Sequence, residues 1–132
     1  MRAIANNLFE LHDDGRIALI GGYSPTSGRY HFPMHETCPY SGATDIETVT
    51  LSADATLWLW TAVTAAPPGY SGPVPFGFGV VELVHEQLRL ITRLTESDTA
   101  QLTFGQPMRL VAETLPLEND APVVTWAFEP RP

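Results

Sequence analysis

Two short stretches of this sequence have the spacing of a metal knuckle. Ser24-Pro25-Thr26-Ser27-Gly28 and Cys38-Pro39-Tyr40-Ser41-Gly42 both read ligand-x-x-ligand-glycine. Sulfur at all four ligand positions would make a structural zinc site, because zinc takes four thiolate or imidazole ligands in a tetrahedron. Here serine stands at three of them, Ser24, Ser27 and Ser41, and a neutral hydroxyl is a poor zinc ligand. Only Cys38 keeps its sulfur. His31 and His35 lie between the two stretches, but nothing sets them at knuckle spacing. No metal and no cofactor are expected.

Cys38 with His31 or His35 is also the nearest thing to a nucleophile and base. Reactive thiols need an electropositive setting, and this segment is neutral to acidic; the histidines therefore read as loop or surface residues. No Gly-x-Ser-x-Gly elbow, no phosphate-cradling Gly-Lys-Ser/Thr loop and no His-Glu-x-x-His occurs. Gly77-Phe78-Gly79 falls inside a strand pattern, where glycine marks a bulge or a close backbone approach rather than a nucleotide loop. The expectation is a chain with no catalytic residues of its own.

Arginine offers another kind of chemistry. Arg89 and Arg93 share one strand face and Arg109 lies on a following strand; guanidinium forks suit phosphate. The competing reading is a solvated strand face. Against any polyanionic partner stands the overall charge of −8, from fifteen acidic residues and seven arginines. A phosphate backbone would repel such a chain, which excludes nucleic acid. The single cysteine rules out an internal disulfide framework and suits a reducing compartment. No apolar run reaches the length of a membrane span. Asn6, Asn7, His12, Asp13 and Asp14 come too early for an apolar signal region. The expected location is the cytoplasm, away from any membrane.

The elements that would carry these residues are strands. Leu8–Leu11 and Arg16–Ile20 flank Asp13-Asp14-Gly15, a hairpin around an Asp-Gly turn. Gly21 to Gly42 reads as loop-rich, with one short run at Arg29–Phe32. Longer strands follow at roughly 46–51, 56–64, 76–83, 88–95, 107–113 and 123–128. Proline and glycine make 65–73 a long surface loop. His85-Glu86-Gln87 is a tight hairpin connection, and Ser97 or Asp98 can cap one helical turn before Phe104-Gly105. If Ile46–Thr64 is one long bent strand, the count is five strands with a helical turn between the third and fourth. That is an all-β, OB-type five-stranded Greek-key barrel. It occupies residues 45–132, behind an N-terminal hairpin and knuckle segment at 1–44.

One strand is apolar on both faces: Leu57-Trp58-Leu59-Trp60-Thr61-Ala62-Val63. One face can fill the barrel; the other exposes large apolar area unless something covers it. Either the N-terminal hairpin lies over it or another protein does, since Trp and Tyr are favoured interface anchors. Trp58 and Trp60, with Tyr70, Phe76 and Phe78 from the adjoining loop and strand, are the expected partner surface. The alternative for Tyr70, Phe76 and Phe78 is that they plug the end of the barrel.

The whole chain resembles the thiolase-associated OB-fold proteins with an N-terminal rubredoxin-like zinc ribbon, the family called domain of unknown function 35. The resemblance rests on Gly21–Gly28 leading to Phe32-Pro33, Thr37–Gly42, Glu47–Ser52, Thr56–Thr61, Pro67–Tyr70, Pro75–Leu83 and Phe104–Val111, all in family order. The ribbon departs from the family: its cysteines fall at Ser24, Ser27, Cys38 and Ser41, so the ribbon is degenerate and its metal is not carried over. What the resemblance implies is an accessory subunit of a thiolase-fold partner, in a hetero-oligomer such as two plus two. Such partners act on acyl-CoA by thiolysis, acyl transfer or retro-aldol cleavage, in lipid, aromatic or steroid metabolism. The small subunit shapes the substrate entrance, where Arg89, Arg93 or Arg109 could meet CoA phosphates. The alternative is a free-standing acyl-CoA-binding or regulatory module.

Overall fold

Alternation of apolar and polar residues dictates most of the architecture. The computed structural model describes residues 2, 3, 8–118 and 121–131; Met1, Asn6 and Asn7 lie outside the described residues. The strands are β1 (Arg2–Ala3), β2 (Phe9–Leu11), β3 (Ile17–Ser24), β4 (Arg29–His31), β5 (Glu47–Thr50), β6 (Asp54–Val63), β7 (Phe76–Leu83), β8 (Leu88–Leu94), β9 (Pro107–Leu115) and β10 (Val123–Pro130). A single 3-10 turn at Thr99–Gln101 separates β8 from β9.

Five of these strands close on themselves. β6 pairs antiparallel with β7, β7 with β8, and β9 with β10; β6 also pairs with β9. β10 meets β8 in parallel through Phe128 and Leu94. The ring is therefore β6-β7-β8-β10-β9, an OB-type barrel in which every ladder has a partner. Alternate residues point inward: Leu57, Val81, Leu83, Leu94, Met108 and Phe128 are almost wholly removed from water. Asp98 caps the 3-10 turn, its Oδ1 accepting from the Ala100 amide at 3.0 Å, as the sequence led us to expect.

The expected hairpin at the N-terminus is present. β2 and β3 pair antiparallel, with Gly15 at φ +88° in the turn. β3 then runs further than expected, through Gly21 and Gly22 to Ser24, where the sequence reads as loop. The glycines are there for proximity. A Cβ on Gly22 would lie 2.3 Å from His31 Nε2, and one on Gly21 would lie 2.8 Å from His31 O. Only a bare backbone lets β4 pack this close.

The stretch expected as one bent strand is two strands in two sheets. β5 pairs with β3, whereas β6 belongs to the barrel. Pairing passes from one sheet to the other across Leu51–Ala53: Leu51 N donates to Leu19 O at 3.0 Å, and Ala53 O accepts from Leu110 N at 2.8 Å. Between them, Ser52 N donates to Glu86 Oε2 at 2.7 Å. Phe9, Ile17 and Leu19 share one apolar core with the barrel, and Phe9 and Phe32 meet the edge of Trp126 at 6.1 and 5.6 Å.

Candidate docking face of the barrel

The N-terminal sheet does not cover the doubly apolar strand. It packs towards Trp126 on β10, and the outer face of β6 stays open. Register explains how that face is built. At Trp58 the pairing of β6 with β7 shifts by one residue: Leu57 pairs with Val81, and Leu59 with Val80. Leu57 and Trp60 therefore turn towards the core, while Leu59 turns out. The shift needs a glycine opposite, because a Cβ on Gly79 would lie 2.1 Å from Leu59 O. Gly77 is equally constrained, at 2.1 Å from Glu96 O. The close approach read from Gly77-Phe78-Gly79 is what the backbone makes.

The outer face of β6, β7 and β8 is a grid of three rows. Leu59, Val80 and Ile91 form the middle row across the three strands. Leu59 is 59% exposed and Ile91 68%, values far above those of residues with a cover inside the chain. One flanking row holds Glu82 and Arg89; the other holds Thr61, Phe78 and Arg93. Trp58 lies beside the first row, with the Arg89 guanidinium 3.7 Å from its ring centre. Its Nε1 donates to Glu82 Oε2 at 3.3 Å, and Phe104, 61% exposed, meets it edge-on at 5.4 Å. Phe104 and Ile91 were not among the residues expected at a partner surface, and Leu59 entered only as part of the doubly apolar strand. The signal was there: strand alternation puts Ile91 with Arg89 and Arg93, away from the core leucines.

The five residues expected at a partner surface are not equivalent. Trp58 and Phe78 are half-buried on the outer face. Trp60 is half-buried against the core, its Nε1 donating to Thr99 O at 3.2 Å. Tyr70 and Phe76 are buried with Leu115 and Val123 in a second apolar cluster. Their rings meet edge-on at 5.4 Å, and the Tyr70 hydroxyl donates to Pro73 O at 2.9 Å. Within this chain these two are packing residues at one end of the barrel.

The three arginines do not converge. Each already faces a carboxylate: Arg89 with Glu82 at 3.9 Å, Arg93 with Glu113 at 2.5 Å, and Arg109 with Glu129 at 2.5 Å. Arg93 lines a groove of about 330 Å³ beside Tyr70 and Phe76. Arg109 lines a different one of about 660 Å³, with Asp14, Arg16 and Glu129. Arg89 has the longest ion pair of the three, and its guanidinium lies over the Trp58 ring.

The four knuckle positions, by contrast, do come together. Ser27 Oγ lies 3.5 Å from Cys38 Sγ, and Ser27 N donates to Ser24 Oγ at 3.3 Å. Hydrogen bonds from Ser27 and then Ser41, with the Tyr40 and Ser41 amides behind them, lower the Cys38 thiol from its ordinary value near 9 to about 7. These donors stabilise a thiolate, against the burial that opposes it. The set does not fit zinc, which needs four sulfur or imidazole ligands and meets three hydroxyls. Among the described residues, no group of three or more His, Cys, Asp or Glu side chains is placed to hold a metal ion. His31 and His35 engage each other, the His35 amide donating to His31 Nε2 at 3.1 Å.

The strand order and the helical turn between the third and fourth barrel strands define an OB-fold protein. Residues 48–113, half of the chain, match the family model of the C-terminal OB-fold domain of ChsH2. The chain belongs to that family. Among solved structures it shares its fold with an Ltp2–ChsH2(DUF35) aldolase, at a TM-score of 0.63 and 21% identity, over 86% of this chain and 84% of that one. No curated protein sequence matches it.

Proposed function

We propose that this chain is a non-catalytic accessory subunit that docks, through the outer face of β6, β7 and β8, on a thiolase-fold enzyme acting on acyl-CoA. The observation that carries the reading is the open row of Leu59, Val80 and Ile91. A closed barrel has no use of its own for such a row on its outside, and apolar area exposed in this way marks interaction sites. Aromatic and arginine side chains at its margin, Trp58, Phe104 and Arg89, are the residue types that dominate interface energetics. The net charge of −8 opposes self-association and favours a less acidic partner. The assembly named in the Ltp2–ChsH2(DUF35) aldolase supports a retro-aldol or related reaction; in this reading the nucleophile and bases are the partner's. In this reading residues 45–132 form the docking barrel and 1–44 an attachment, the complex is cytoplasmic, and Arg89 at the rim is the residue nearest to hand for a CoA phosphate. A free-standing acyl-CoA-binding module would ask for a pocket that gathers unpaired cations, and the groove that holds both Arg16 and Arg109 also holds Asp14 and Glu129, each paired with one of them. Among the described residues, no helix is long and apolar enough to cross a membrane.

The test is the double substitution Leu59→Ser and Ile91→Ser, with binding to a co-expressed thiolase-fold partner measured by calorimetry. Binding is expected to weaken by about tenfold or more, or roughly 1.4 kcal/mol, while the melting temperature of the free chain stays within about a degree, as for surface changes. Wild-type affinity in the variant, or acyl-CoA cleavage by the chain alone, overturns the reading.

A further inference from the structure

The knuckle turns keep their shape without the ligands that normally justify it. The first turn closes by Gly28 N donating to Ser24 O at 2.7 Å, the second by Gly42 N donating to Cys38 O at 2.9 Å. Gly28 and Gly42 both sit at positive φ, +69° and +76°. The two turns are thus the same structure built twice, facing one another across the Ser27–Cys38 contact. Such turns bury little apolar area, and small segments of that kind need a cross-link to stay ordered. Three hydroxyls and one thiol cannot supply it through zinc.

Asp45 stands where the cross-link is needed. It follows the second turn by three residues, and its carboxylate reaches back to the first. Oδ1 accepts from the Ser24 hydroxyl at 2.7 Å. Oδ2 accepts from the Thr26 amide at 2.8 Å and from the Thr26 hydroxyl at 2.6 Å. Hydrogen bonds to an ionised acceptor are short and about twice as strong as neutral ones, and all three distances are in that range. Ser24 is wholly buried, so its hydroxyl must find a partner inside the protein; it donates to Asp45 and accepts from Ser27 N. Its proton and one of its two lone pairs are thus engaged, and an uncharged hydroxyl is a poor zinc ligand. We infer that the Asp45 carboxylate has taken over the fastening that zinc performs in a four-sulfur ribbon, so that this segment folds and stays folded without metal.

The inference does not depend on the docking reading, and its test needs no partner. Elemental analysis of the purified full chain is expected to show far less than one zinc per chain, and EDTA to leave its melting unchanged. In Asp45→Asn, hydrogen exchange at the amides of 24–28 and 38–43 should accelerate by about tenfold or more, the signature of local opening. Exchange in β6 to β10 should stay as in wild type. Should Asp45→Asn fail to fold, Thr26→Val removes one of the three bonds and should give a smaller acceleration at the same amides. The triple substitution Ser24→Cys, Ser27→Cys and Ser41→Cys should bind Co2+ with the visible absorption of a tetrahedral thiolate site, because the four positions already converge. One chelatable zinc per wild-type chain overturns the inference. So does unchanged exchange in both single variants, or a triple variant that fails to bind Co2+.

Discussion

The barrel and the paired turns solve the same problem by opposite means. The barrel holds its strands with area: Phe128, Leu57, Val81 and Met108 have no exposed surface, and among the described residues sixteen buried ones form one apolar cluster that reaches into the N-terminal sheet. The turns at 24–28 and 38–42 hold theirs with direction, through polar bonds among Ser24, Thr26, Ser27, Cys38 and Asp45, those to Asp45 being the short ones. Area is tolerant, since a hydrophobic contact weakens gradually as it is reshaped. Direction is not, since a hydrogen bond with one partner removed leaves a buried group unsatisfied. A protein built this way should lose stability in proportion to volume in one region and all at once, but locally, in the other.

The largest effect tests the first half of that contrast. Phe128→Ala removes a fully buried ring at the β8–β10 closure and should destabilise the whole chain by about 3–5 kcal/mol in denaturant unfolding, exposing turns and barrel together. A transition in which only the barrel melts would break the comparison, because it would mean the turns stand alone.

Tyr70→Ala should come next. The ring is buried against Phe76, and the loss should lower the melting temperature of the isolated chain by several degrees, as expected for a change of about 1 kcal/mol or more in a domain of this size. Melting as in wild type, with weakened partner binding, would return Tyr70 to the docking surface.

The smallest effect belongs to the polar region and depends on pH. The folded thiol of Cys38 sits at about 7, below its ordinary value near 9. A group lowered on folding contributes stability that is full above the unfolded value and is lost as pH falls through the folded one. Protection of the 38–43 amides should therefore rise between about pH 7 and pH 9, once the ordinary pH dependence of exchange is removed, and Cys38→Ser should abolish the rise. A flat profile in wild type would remove Cys38 from the network.

How much of this could be read from residues follows the same division. Barrel strands announce themselves because burial on one face imposes a period of two, and Leu88, Leu90 and Leu94 against Arg89, Ile91 and Arg93 follow it. Gly79 was legible for a related reason: a glycine inside a strand implies that something comes close. What escaped reading depends on partners distant in sequence. Gly21 and Gly22 read as loop, since nothing local shows that His31 will lie on them. Tyr70 sits in a proline-rich loop that left docking anchor and barrel plug both open, since nothing local shows Leu115 and Val123 closing round it. Asp45 was missed altogether; its partners are 19 and 21 residues away, and no spacing rule links a carboxylate to hydroxyls at such a distance.

The register shift at Trp58 has a consequence for what that residue is for. Inserting one residue into a strand ordinarily turns every later side chain over. Here the extra residue is absorbed in place, so Leu57 before it and Trp60 after it both still face the core. Trp58 is supernumerary to the ladder. A chain from which it alone is deleted keeps the same inward and outward sets, with Leu59 following Leu57 in ordinary alternation. The indole held between Arg89 and Phe104 is thus all that such a deletion removes, which makes shortening the strand by one residue a cleaner way to silence that corner of the face than trimming the side chain to alanine.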